Sequence, residues 1–276
     1  MTQAPTQYPG LRVEGQRVEG QVPRLIVPHN GGELTFFYLA FGPDNYANVG
    51  SGIVELGLKK PTMAETASLV HAALNPPENT YSRQIKGIMR NASLWAFTGT
   101  LYIPKEGAFI QDDPEMIYEM PFMDRGSLMD RVVRSGQELY RFIMESVLLQ
   151  ISIEDDPTIR LRMPFMGRDS LEQRLNAKDP GVRFVPFGYP IGEMSSSELA
   201  RNPYVIALAG EEGAEKLARV AEKYEKRPDL FSFRSVDKNT TTISSLDSSM
   251  DLRLFLDAGG YHGYGSGNGR AFGVSK

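Results

Sequence analysis

The chain of 276 residues is 41% hydrophobic, 23% charged and 10% aromatic, a globular profile that excludes a collagen-like or wholly disordered polymer. It has no cysteine, which removes disulfides, thiolate metal sites and cysteine nucleophiles, and its three histidines, His29, His71 and His262, are too scattered to suggest a three-histidine zinc centre. A net charge of −4 argues against a surface that coats nucleic acid, so nucleic acid is not an expected partner.

The first residues show no basic start followed by an apolar run, and no stretch reaches the roughly 18 apolar residues that span a bilayer. The expectation is a soluble, cytoplasmic protein with no membrane partner. Residues 1–22 read as an extended arm. Within it, residues 12–16 and 17–21 are the same pentapeptide, Arg-Val-Glu-Gly-Gln, in tandem. A glycine in each copy disfavours a helix.

Residues 23–228 read as the main domain. Segments 24–27 and 33–41 are apolar and aromatic, and Asn30-Gly31-Gly32 between them is a turn signal, which predicts a β-hairpin with His29 beside its turn. A solvated or capping role is expected for this histidine. Residues 46–58 carry a loose helical pattern. Thr62 with Glu65 forms a capping box for a helix reaching residue 74, which carries His71, and a further helix covers 79–91. Residues 94–103 alternate as a strand with Trp95 facing the core.

The strongest internal signal is an offset of 43 residues. Residues 110–131 and 153–174 are identical at twelve of twenty-two positions without a gap. Each unit contains Asp-Asp-Pro, which favours a type I turn. Each then runs through Met-Pro-Phe-Met to a serine cap at Ser127 or Ser170. The predicted unit is strand–turn–strand–helix, with 107–111 paired to 115–120 in the first copy. A weaker echo begins at Asp179-Pro180. Further on, 182–186 reads as a strand, Ser195 with Glu198 as a cap, Asn202-Pro203 as a helix start, and Gly210 as a stop before a second helix.

Beyond residue 228 the composition shifts to short strands at 230–236, 240–246, 252–257 and 271–274, a strand-rich sub-domain over 229–276. Its segment 259–270 holds six glycines in twelve residues. The predicted fold class is thus α+β, with a mixed or mainly antiparallel sheet, flanking helices, an internal duplication and a strand-rich C-terminal segment.

Three groups of side chains have chemical readings. The paired acids Asp112, Asp113, Asp155 and Asp156 would hold Mg²⁺ or Ca²⁺ if pseudo-symmetry brought them together, against the simpler reading that Asp before Pro builds the turn. Arg125 and Arg168, at matching places before the serine caps, would make a twin anion clamp, with Arg270 as a further contact. His262 in the glycine-rich segment would be an acid or base on a lid. No other cofactor is expected. The favoured function is a binding or interaction protein with a pseudo-symmetric core, its partner a protein or an anionic small molecule. The alternative is an enzyme acting on a phosphorylated or otherwise anionic small molecule.

Overall fold

The computed structural model describes residues 11–14, 22–75, 78–117, 120–123, 182–248, 252–259 and 268–275. Its architecture grows outward from one strand. Strand β4 (Ser93–Ile103) is buried at all eleven positions, because it is covered on both faces. Strand β5 (Gly107–Asp112) returns antiparallel to it and in turn takes β8 (Val182–Pro186). On the other edge β11 (Thr240–Asp247) runs antiparallel to β4, with a register shift between Ile243 and Ser244.

The predicted hairpin forms as β2 (Arg24–His29) and β3 (Gly32–Asp44), joined by Asn30 at φ 46° and Gly31 at φ 74°. Two positive φ values in succession make the tight turn whose twist suits a hairpin, and Asn-Gly tolerates them best. Outside β2 lies β1 (Arg12–Glu14), built from the first pentapeptide copy. The last strand, β13 (Gly269–Val274), enters between β3 and β4, antiparallel to the first and parallel to the second. With β12 (Phe255–Asp257), β10 (Asp229–Phe231) and β9 (Gly192–Glu193), the order is β1-β2-β3-β13-β4-β11-β12-β10-β9. The described strands of 229–276 therefore lie in one sheet with β2, β3, β4, β5, β8 and β9.

Five helices are described, each begun by a side-chain cap. Helix α1 (Tyr46–Glu55) starts at Asn45 and α3 (Thr80–Asn91) at Asn79. Capping boxes open α2 (Met63–Leu74), through Thr62 and Glu65, and α4 (Ser196–Arg201), through Ser195 and Glu198. Helix α5 (Pro203–Ala221) starts at Asn202 with proline in its first turn, and breaks at Gly210, where φ is 73°. Helices α2, α3 and α5 cover one face of the sheet; α1 covers the other, over Trp95, Phe97 and Ile243. Since α2 is wedged between α5, α3 and the sheet, it is buried nearly all round. No helix among the described residues is long and apolar enough to cross a membrane.

The fold is α+β, as the sequence predicts. Within the first repeat unit the strand pairing is corrected. Strand β5 does not pair across the Asp112-Asp113-Pro114 turn; it is buried between β4 and β8. Asp113 adopts φ 47° and gives its N–H to Phe97 O, which turns the chain away. Strand β6 (Glu115–Ile117) then pairs with β7 (Met120–Phe122) in a separate ribbon. The second unit, and the helices expected after Ser127 and Ser170, lie outside the described residues.

Candidate functional site

Of the residues singled out by sequence, Arg125, Arg168, Asp155, Asp156 and His262 lie outside the described residues. Asp112, Asp113 and Arg270 lie within them. Asp112 receives two bonds from the Arg183 guanidinium, at 2.5 and 2.9 Å, and one from Thr98 Oγ1 at 2.7 Å. Thr98 Oγ1 accepts in turn from Met63 N at 3.0 Å. The carboxylate thus ties β4, β5 and β8 to the start of α2. Asp113 forms an ion pair with Lys60, whose ammonium also lies over the Phe97 ring, 5.5 Å from its centre. Each acid of this pair is engaged by a cation of the chain itself. Among the described residues no three histidine or carboxylate side chains gather closely enough to hold a metal. Arg270 donates to Gly42 O at 3.0 Å, tying β13 to the end of β3.

The glycine-rich segment is anchored at both described ends. Ala258 O accepts from Tyr102 Oη at 2.8 Å and from Thr242 Oγ1 at 2.6 Å. A β-carbon on Gly259 would lie 2.7 Å from the Phe231 ring, and one on Gly269 would lie 1.6 Å from Trp95 Nε1. Tyr102 also bonds Tyr204 at 2.8 Å and Ser232 at 2.9 Å. Burial pushes the Tyr102 phenol far up and that of Tyr204 to about 12. These phenols are structural hydrogen-bond groups, protonated at physiological pH.

The densest mixed cluster lies elsewhere, beneath the β2–β3 turn, where α2 meets α5. Close approach of the two helices is set by small residues: a β-carbon on Gly213 would meet Ala64 Cα at 3.5 Å. Lys216, with only 3% of its side chain exposed, donates to Pro28 O at 2.8 Å and Ser68 Oγ at 2.9 Å, and pairs with Glu212 one turn earlier. Glu212 also accepts from Asn30 N at 3.0 Å. Burial alone would raise the Glu212 carboxyl, but the bonds from Lys216 and Asn30 bring it below its usual range.

Ser68 Oγ donates to Ala64 O at 3.0 Å and lies 2.9 Å from His29 Nδ1. Asn30 Nδ2 lies 3.0 Å from His29 Nε2. With the serine hydrogen on Ala64, this pattern assigns a neutral imidazole whose Nδ1–H donates to Ser68 and whose Nε2 accepts from Asn30. Burial lowers the His29 pKa, and the Lys216 charge lowers it further. His71, next along α2, is driven down to about 4 by burial and then by Lys216, Arg219 and Lys223.

A serine between a lysine and a histidine has the composition of an activated nucleophile. Its hydrogen bonds run the other way. Lys216 meets three acceptors with its three N–H groups, and Ser68 gives its hydrogen to a helix carbonyl. The cluster works as a latch that fastens the hairpin turn to two helices. His29, expected in a solvated or capping role beside the turn, is half-buried and bonds Ser68 and Asn30 there, because the turn folds back onto α2. Sequence reading missed Ser68 and Lys216; the available signal was the Glu212–Lys216 spacing of four, which puts the pair on one helix face.

No family model, no curated protein and no solved structure matches the chain.

Proposed function

We propose that the chain is a binding protein that receives an extended segment of a protein partner along the outer edge of its sheet at β1. The observation that carries this reading is the position of β1 as an end strand of three residues, with β2 as its neighbour. Such a strand offers main-chain donors and acceptors for strand addition. Arg12 and Glu14 are each more than half exposed at this edge, and Arg12 reaches Glu33 at 2.9 Å. Alternating charges of this kind favour a partner strand of complementary alternation.

The test is affinity capture from the natural host with the full chain, beside a Val13→Pro chain whose edge cannot continue a ladder. A partner held by the first and lost by the second supports the reading. Equal capture by both overturns the edge as the docking place. Turnover of a phosphorylated metabolite, lost in Arg270→Ala, would instead favour the enzyme reading.

A further inference from the structure

Strand β1 is complementary to itself. Arg12 and Glu14 flank Val13 with opposite charges, and their side chains are 56% and 55% exposed. Both point to the face opposite that of Val13, which packs against the core. In an antiparallel pair, the residue before a central position lies opposite the residue after it. A second β1 laid beside the first, with Val13 at the centre, therefore sets Arg12 of each copy opposite Glu14 of the other. The two Val13 side chains meet on the core face. A parallel neighbour would bring like charges alongside, which opposes it. The charge pattern continues into the chain's own sheet. Glu14 lies opposite the exposed Arg24 on β2, and Arg12 reaches Glu33 at 2.9 Å. With a second copy in place, Glu14 stands between Arg24 of its own chain and Arg12 of the other.

We infer that two copies of the chain join edge to edge through residues 12–14, so that their sheets run on as one across a two-fold axis at Val13. The inference rests on the docking reading of the β1 edge and names its partner as a second copy. A two-fold contact closes on itself, and each copy covers the other's edge. Three residues a side are far fewer than the roughly 20–30 of a standard interface, so the association is weak and reversible, with a Kd on the order of 0.1–1 mM.

The test is sedimentation equilibrium of the full chain from about 10 μM to about 1 mM. The natural chain should pass from monomer towards dimer over this range. Arg12→Glu makes both exposed positions acidic, and Glu14→Arg makes both basic, so each variant alone should self-associate about tenfold less. Mixed in equal amounts, the two variants should associate again, because every cross-strand pair is then of opposite charge. The chain carrying both substitutions should behave like the natural one. Since the mixture is compared with its own components, loss of the Arg12–Glu33 bond does not confuse the result. A natural chain that stays monomeric at the top of the range overturns the inference. So does an association that neither single variant weakens, or a mixture that associates no better than its parts. The docking reading is judged apart: a host partner captured by the full chain and lost by Val13→Pro upholds it even where the natural chain is monomeric.

Discussion

Gly269 lies with its α-carbon against the indole of Trp95, so close that a β-carbon would meet Nε1 at 1.6 Å. The neighbour is a fully buried ring, packed edge-on against Tyr46 with its Nε1 3.4 Å from Asp44 O. It has no room to withdraw. Gly269→Ala should therefore cost several kcal/mol, through overpacking of the core. Gly87 is the control: it sits inside α3 with nothing within 4 Å of an added β-carbon. Gly87→Ala should stabilise by about 0.5–1 kcal/mol, from helix propensity alone. Urea denaturation of both variants reads the contrast, and a Gly269→Ala loss no larger than a typical surface change would contradict the packing.

The latch beneath the hairpin turn predicts an asymmetric response. Lys216→Met removes the buried ammonium and takes one hydrogen-bond donor each from Glu212, Ser68 and Pro28 O. A loss of about 2 kcal/mol is expected, because the buried acceptors Ser68 and Pro28 O each lose a charge-assisted bond, while the partly exposed Glu212 can turn to water. Glu212→Gln keeps an acceptor near both Lys216 and Asn30 and should cost less than half as much. Similar losses in both would show that charge, rather than bonding, holds the turn.

His71 sets a pH dependence. Its folded pKa of about 4 lies below its unfolded value of 6.5, and His29 shifts in the same direction. The unfolded chain therefore takes up protons first as pH falls. This contribution to stability is fully present above about pH 6.5 and is lost progressively as pH drops towards 4. For His71 the loss amounts to about 3 kcal/mol. His71→Gln should flatten the stability profile between pH 7 and pH 4, measured by denaturant midpoints. A profile as steep as that of the natural chain would place the titrating group elsewhere.

The bond of Asp112 to Arg183 links the end of β5 to β8. Asp112→Asn and Arg183→Met, singly and together, should give a coupling energy of about 2 kcal/mol, well above that of an exposed pair. Additive effects would show that the two residues act separately.

Local chemistry made much of this fold legible. The Asn-Gly turn, the Thr62 and Ser195 capping boxes, the Asn202-Pro203 start and the Gly210 break are each set by a few adjacent residues, and each forms where the sequence places it. Pairing was harder. Residues 107–111 announce a strand, but nothing local says that its neighbours are β4 and β8 rather than the segment just past the turn. The site was least legible for the same reason. Lys216 has an ordinary helical context, and only the fold brings Pro28 O and Ser68 to it from 188 and 148 residues away. Arg183, which engages Asp112, comes from 71 residues downstream.

The place of β13 between β3 and β4 has a consequence for how the molecule comes together. Among the described residues it is the strand that joins the β1-β2-β3 group to the rest of the sheet. A growing polypeptide can zip each group separately, yet the two cannot be stitched across their shared boundary until residues 269–274 arrive. Closure is thus a late, long-range event, with a high entropy cost before any contact rewards it. Until then the facing edges of β3 and β4 stay open, and that interval is when such a chain is most exposed to mispairing with its neighbours.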